Sequence, residues 1–288
     1  AFRAALAEID SSPGASITVE CYDGDNPHVC GLGRFLDAEL SGELLGAYVH
    51  GSLGTGEGIP YSDFDALLIF KDSALDTVDS LANAADRAIA ARRFLWDHDP
   101  LQHHGFFVLT ESDLRLYPDV VFPRVLFGHA KSLLAGGTRL CVAGGPDAFG
   151  SKTALHAMLD AIEGAVGGEK RPQSAYELKV LISQLLLLPC LFLQAVDQPV
   201  FKRESFEMAR SRFHPREWKA IETASDMRLR WTVHKNRWPG RHHPFLPMIL
   251  QKKLGVRIGR HLVGRLTEEF YTDVRRLVSA MRTCGEAA

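Results

Sequence analysis

Short apolar runs alternate with longer amphipathic stretches over the first half of the chain. Runs of apolar residues predict buried strands at residues 46–50, 64–70 and 105–109 and an edge strand at 140–142. Apolar positions recur at helical spacing in three further stretches, which predicts helices at residues 32–45, 73–94 and 117–134. Strands and helices in alternation favour an α/β (or α+β) fold with a small mixed sheet.

The pattern changes after the cluster Gly144-Gly145-Pro146, where we predict a domain boundary. The prediction is an N-terminal domain of residues 1–146 and an all-helical C-terminal domain of residues 147–288. The helices predicted in the second domain span residues 152–166, 174–195, 203–212 and 215–229, with a last pair within 245–281.

The most apolar stretch, residues 180–196, contains Ser183, Gln184, Pro189 and Gln194 and is shorter than the ~20 residues of a membrane span. It predicts a buried helix kinked near Pro189, and no membrane association. No CxxC pair or dense disulfide framework is present, and the N-terminus lacks the pattern of a secretory signal. The expectation is a cytoplasmic protein with reduced thiols. The five cysteines are Cys21, Cys30, Cys141, Cys190 and Cys284.

The net charge of -2 hides two halves of opposite sign. Residues 1–150 carry 10 Lys+Arg against 21 Asp+Glu, and residues 151–288 carry 23 against 14. An acidic half suits a divalent cation, and a basic half suits the polyphosphate that accompanies it. Simple attraction between two oppositely charged halves explains the same division equally well.

One window carries a recognisable chemistry. Gly51-Ser52 follows an apolar run, and after ten intervening residues come Asp63-Phe64-Asp65 and a second apolar run. Acids at i and i+2 of a strand project from one face, where their oxygens can share one or two Mg²⁺ ions, while Phe64 points into the core. A Gly-Ser turn lets the backbone approach phosphates closely. The competing interpretations are two solvated acids and an ordinary turn.

This window resembles the signature of DNA polymerase beta-type nucleotidyltransferases, in which an apolar residue, Gly and Gly or Ser precede Asp, an apolar residue and Asp or Glu. The two-domain layout resembles that of kanamycin and other aminoglycoside nucleotidyltransferases. The resemblance implies Mg²⁺ (or Mn²⁺) held by Asp63 and Asp65, ATP phosphates cradled by Gly51 and Ser52, and transfer of a nucleoside monophosphate to an acceptor hydroxyl. A small-molecule acceptor is favoured over protein or RNA. Lys202 resembles a lysine that contacts nucleotide phosphates in that family, although a solvated lysine beside a turn fits as well.

The third carboxylate of the family is the point of departure. The equivalent strand, residues 105–109, contains no acid, and His103 and His104 precede it. A neutral imidazole can accept a proton, so His104 is the first candidate for the general base and His103 the second. Asp99 and Glu111 flank the strand as alternatives, and a purely structural histidine pair is equally compatible.

Two weaker patterns lie in the second half. His242-His243 forms a candidate metal pair without an acid or cysteine at ligand spacing, and Trp231 and Trp238 lie in a basic segment that suits stacking or a domain interface. Two rival functions remain open: a catalytically weakened nucleotide-binding regulator, motivated by the missing acid, and a protein-modifying nucleotidyltransferase, which is usually much smaller.

Overall fold

The apolar residues Ala66–Phe70 form one of the two inner strands of a four-stranded mixed sheet. This computed structural model describes residues 15–115, 117, 119–120, 122–143, 148–167, 171–232 and 260–287. Described residues 15–143 fall in one unit of the fold, and the described residues from 148 onward fall in a second.

The first unit combines strands and helices. Its strands are β1 (Ala15–Val19), β2 (Leu44–Val49), β3 (Ala66–Phe70), β4 (Phe107–Thr110), β5 (Lys131–Ser132) and β6 (Thr138–Val142). Its helices are α1 (Pro27–Glu39), α2 (Gly51–Gly54), α3 (Val78–Ala91) and α4 (Arg93–His98), with 3-10 turns at Asp72–Ala74, Ser112–Leu114 and Arg124–His129.

The main sheet has the strand order β4-β3-β2-β5. Strand β2 pairs antiparallel with both β3 and β5, whereas β3 pairs parallel with β4. Strands β1 and β6 form a separate antiparallel pair. The fold class is therefore a small mixed-sheet α/β unit followed by a helical unit.

Both faces of the main sheet are covered, which explains the unbroken apolar run of β3. All five residues of that strand are buried. Leu68 and Phe70 pack in a core with α1, α3 and α4, and Leu67 and Ile69 pack on the opposite face against the segment around Phe122. A strand buried on both sides has no reason to alternate apolar with polar residues.

Several predicted elements are wrong in extent or type. The helix predicted at 117–134 is replaced, among the described residues there, by a 3-10 turn and the short strand β5, because Pro123 and Gly128 interrupt the helical backbone. The helix predicted at 73–94 begins only at Val78, where Thr77 forms a capping box with Ser80. The sequence pattern also missed β1, which pairs with the predicted edge strand β6.

The second unit is helical throughout its described residues. Its helices are α5 (Ala148–Val166), α6 (Ala175–Ala195), α7 (Lys202–Arg210), α8 (Pro215–Leu229), α9 (Arg260–Val263) and α10 (Glu268–Ala287). Their extents agree closely with the predicted helices wherever the structure describes both.

Helix α6 is the core of this unit and contacts α5, α7 and α8. It begins at a capping box between Ser174 and Glu177 and continues through Pro189. At 21 residues it is longer than the apolar stretch predicted from the sequence, and it is the one helix among the described residues long and apolar enough to cross a membrane. Of its most apolar 18 residues, 72% are buried inside the protein, as in the core helix of a globular unit.

Candidate active site

A sharp turn carries the chain from β2 into the single-turn helix α2. His50 has extended backbone angles, and Gly51 follows with a φ of +62°, a conformation that glycine adopts without strain. A Cβ atom on residue 51 would lie 2.7 Å from Oδ2 of Asp65. Glycine is therefore required here both for the left-handed backbone and for the close approach of a carboxylate.

The two acids lie in the segment that leads into β3: Asp65 directly precedes Ala66, the first residue of the strand, and Asp63 comes two residues earlier. The backbone N–H of His50 donates a hydrogen bond to the carbonyl of Asp65 at 3.0 Å, which extends the β2–β3 pairing to this point. Phe64 is fully buried in the core beneath α1, α3 and α4, and Asp63 and Asp65 on either side of it are half-buried. The interpretation of Phe64 as a core residue between two outward-facing acids is consistent with this burial.

Gln102 holds the segment between the acids in place. Its side-chain carbonyl accepts a hydrogen bond from the Phe64 N–H at 2.9 Å, and its side-chain amide donates to the Phe64 carbonyl at 3.1 Å. Both bonds are buried. The glutamine thus replaces a neighbouring strand for one residue and fixes the backbone from which both carboxylates project.

The parallel pairing of β3 with β4 brings the histidines to the acids. Leu67 is paired with Phe107, so the residues that precede these two strands run side by side. As a result, Nε2 of His104 lies 3.0 Å from Oδ1 of Asp65, and Nδ1 of His103 lies 3.7 Å from Oδ2 of Asp63. The two rings meet edge to face with their centroids 4.9 Å apart.

The pairing with Asp65 decides the charge of His104. Burial lowers the pKa of His104, but the hydrogen bond and charge of Asp65 outweigh burial and raise the pKa to about 9. Burial raises the pKa of Asp65, and its bond to His104 more than reverses this, so the pKa of that carboxyl is lowered. The pair is therefore an imidazolium and a carboxylate at neutral pH.

This pairing does not favour His104 as a general base. Nε2 faces Asp65, and Nδ1 lies 3.0 Å from the Gly105 carbonyl, so both ring nitrogens are engaged and protonated. His103 differs, because its Nδ1 is buried and has no hydrogen-bond partner. Asp63, His103 and His104 each offer a ligand atom within 4.8 Å of the others, a group able to hold a metal ion.

The two flanking acids have hydrogen-bond partners of their own. Asp99 is buried and accepts a hydrogen bond from the Leu101 N–H, so it closes a local turn. Glu111 donates its N–H to the Phe70 carbonyl, at the far end of β3 from Asp65. At ~3.3 Å per residue, five strand residues separate those ends by roughly 17 Å.

The remaining predicted residues have mixed positions. Ser52 is half-buried as the second residue of α2, beside the Gly51 turn. Lys202 begins α7 in the second unit. Burial raises the pKa of the Cys190 thiol, and the charge of Lys202 opposes this rise only in part. The role of Lys202 toward a nucleotide stays a prediction. Trp231 is buried in the second unit. Trp238 and the His242-His243 pair lie outside the described residues.

Sequence reasoning missed two residues of this site. His50 ends the run predicted as a strand at 46–50 and was given no role, yet it is 6% exposed, packs against Phe107 and Phe122, and has a buried Nε2 without a hydrogen-bond partner. Gln102 was not singled out at all. The sequence offers little signal for it, because Gln102 lies between Leu101 and the polar pair His103-His104 and its burial becomes visible only in the fold.

Comparisons with known proteins give limited information. No family model matches the chain, and no curated protein matches it in sequence. Among solved structures, the chain aligns with spectinomycin adenyltransferase AAD(9) from Enterococcus faecialis, crystallised with ATP and spectinomycin. The TM-score is 0.44 and the identity 8%, over 88% of this chain and 98% of that chain. That protein belongs to the class that the motif at residues 51–65 resembles. A structural similarity this distant carries no argument about activity. The proposed activity therefore rests on the residues of the site.

Proposed function

We propose that this protein is a nucleotidyltransferase that moves a nucleoside monophosphate from a nucleoside triphosphate, ATP in the first instance, to an acceptor hydroxyl. The observation that carries the proposal is the approach of Asp65 to the Gly51 turn, where a Cβ would meet its carboxylate at 2.7 Å. A turn with an open backbone beside two half-buried carboxylates is an arrangement that suits a metal-bound polyphosphate.

Each of these residues has a proposed role in the reaction. Asp63 and Asp65 would hold a divalent cation, Mg²⁺ by the resemblance of the motif, and the cation would offset charge on the triphosphate. Gly51 and Ser52 are the first two residues of α2, and their backbone N–H groups would bind phosphate oxygens. Gln102 is a positioning residue, since it fixes Phe64 between the two acids.

The first test separates binding from turnover. We expect α,β-methylene-ATP to bind only when a divalent cation is supplied, measured by equilibrium dialysis on the full chain. Asp63→Asn and Asp65→Asn should each weaken that binding at least about tenfold, because each removes a charged ligand. Asp97→Asn is the matched control, since Asp97 is exposed on α4. Cation-independent binding, or equal binding by all three variants, would refute the assignment.

The second test measures release of pyrophosphate from ATP with a panel of hydroxyl acceptors, aminocyclitol and aminoglycoside antibiotics first. A small-molecule acceptor is expected to support sustained release. Binding of the analogue without release for any acceptor would favour the other candidate, a nucleotide-binding regulator. One observation favours that candidate: β4 itself contains no acid, and Glu111, which follows it, lies at the far end of β3 from Asp65.

A further inference from the structure

The candidate metal site contains imidazole nitrogens as well as carboxylate oxygens. Nδ1 of His103 and Oδ2 of Asp63 are 3.7 Å apart, too far for a hydrogen bond. Two ligands each ~2.1 Å from one ion, at angles between tetrahedral and trigonal, lie roughly 3.4–3.6 Å apart. The observed 3.7 Å is within about 0.3 Å of this ligand spacing, so a small shift would let both atoms bind one cation, and Nδ1 of His103 is buried with no hydrogen-bond partner of its own.

His104 is oriented for the same purpose. Its Nδ1 lies 3.0 Å from the Gly105 carbonyl, the usual support of a metal-bound histidine, so Nε2 is the nitrogen available to a cation, which would displace the Nε2 proton now bonded to Asp65. Nε2 in turn lies 3.0 Å from Oδ1 of Asp65. Two ligands at right angles around an ion are also about 3.0 Å apart at that bond length. Asp65 lies beside the group of Asp63, His103 and His104, whose ligand atoms are within 4.8 Å of one another, and would join it as a fourth donor once its carboxylate turns toward the shared ion.

We propose that Asp63, Asp65, His103 and His104 form a mixed nitrogen and oxygen site that selects a first-row transition-metal dication, such as Mn²⁺, Co²⁺ or Zn²⁺, over Mg²⁺. Mg²⁺ prefers oxygen ligands, whereas imidazole favours the transition metals. This inference rests on the proposed function, because it names the cation of the same site. It reverses the preference for Mg²⁺ that the motif implies.

The test is calorimetric titration of the metal-free, tag-free full chain with Mg²⁺, Mn²⁺ and Co²⁺. We expect Co²⁺ to bind at least about tenfold more tightly than Mg²⁺. His103→Asn and His104→Asn should each weaken Co²⁺ binding at least about tenfold and change Mg²⁺ binding much less. The control is His261→Asn, at an exposed histidine on α9 in the second unit, which should bind Co²⁺ as the wild type does.

A second measurement needs no variant and so does not depend on how the substitutions fold. Pulsed electron paramagnetic resonance of bound Mn²⁺ in the wild type should show hyperfine coupling to imidazole nitrogen. Tighter binding of Mg²⁺ than Co²⁺, Co²⁺ binding unchanged in both single-histidine variants, or no nitrogen coupling would each overturn the inference.

The outcomes for the two hypotheses are distinct. If α,β-methylene-ATP binds with Mg²⁺ and no nitrogen ligates Mn²⁺, the proposed function stands and the mixed site is wrong. If Co²⁺ binds through the histidines but no cation promotes binding of the analogue, the mixed site stands and nucleotidyl transfer is wrong.

Discussion

Removal of the Gln102 side-chain amide should destabilise the first unit by a predictable amount. In Gln102→Leu the side chain keeps similar bulk, but the buried N–H and carbonyl of Phe64 lose their bonds of 2.9 and 3.1 Å. A buried polar group left without a partner costs about 1–3 kcal/mol, so the two together cost about 2–6 kcal/mol. The more apolar leucine recovers part of this, and we expect a net loss of about 2–4 kcal/mol.

The assay must report on the first unit, since two units need not unfold together. Native-state hydrogen exchange of the Phe64 amide, followed by NMR, measures local opening directly. A loss of about 2 kcal/mol corresponds to exchange faster by roughly 30-fold, because every 1.4 kcal/mol is about a factor of ten. Urea unfolding followed by circular dichroism checks the global stability.

The matched control is Gln173→Leu, which removes one exposed bond to the Arg171 carbonyl in the second unit. It should change the free energy of unfolding by less than about 0.5 kcal/mol. If Phe64 exchanges at the wild-type rate in Gln102→Leu, the reasoning that assigns this glutamine a structural hold on the acids is refuted.

Two further predictions concern residues around the acids. Gly51→Ala should lower the free energy of unfolding by about 1 kcal/mol or more beyond Gly56→Ala: both positions have positive φ, but a Cβ at 51 meets Asp65 and one at 56 meets nothing within 4 Å. Equal losses in urea unfolding would show that the contact is unimportant. For His50, burial lowers the pKa to about 4, with the charge of Asp65 opposing and that of His104 reinforcing the effect. The unfolded chain therefore binds an extra proton between about pH 6.5 and 4, so stability is complete above that window and falls by up to about 3 kcal/mol as pH drops through it. His50→Phe should flatten this slope, and identical slopes would contradict the burial of a neutral His50.

The strands of the main sheet were predictable because they combine burial with short length. The apolar run that ends at Phe70 is too short for a typical helix and is typical of a strand covered on both faces. The helix predicted at 117–134 was wrong because its apolar spacing does not determine its backbone conformation. Its apolar residues satisfy helical spacing, but Pro123 and Gly128 fix a 3-10 turn that buries Phe127. The spacing of apolar residues does not show which backbone conformation will bury them in the core.

The site shows the same division. Gly51, Asp63 and Asp65 lie within one short window, so their spacing alone predicts that they come together. The positions of His103 and His104 relative to those acids depend on the register of β3 with β4, which is a property of the folded sheet. Long-range pairing sets this register, and a shift of one residue would move every side chain of the strand to the other face of the sheet. The sequence alone therefore does not predict these contacts.

From the parallel pairing of β3 with β4 we expect the site to form in two steps. Strands β2 and β3 are a near-local antiparallel pair, so a chain that has folded only this far already has the Gly51 turn beside Asp65. The imidazoles arrive only after the crossover through α3 and α4 has closed, since β4 must lie beside β3 before His104 can reach Asp65. A cation held by both kinds of ligand would thus bind the completed unit and not its early hairpin. At a free concentration of about 100 Kd it would stabilise the native chain by about 2.7 kcal/mol, which makes metal supply a determinant of how much folded protein accumulates.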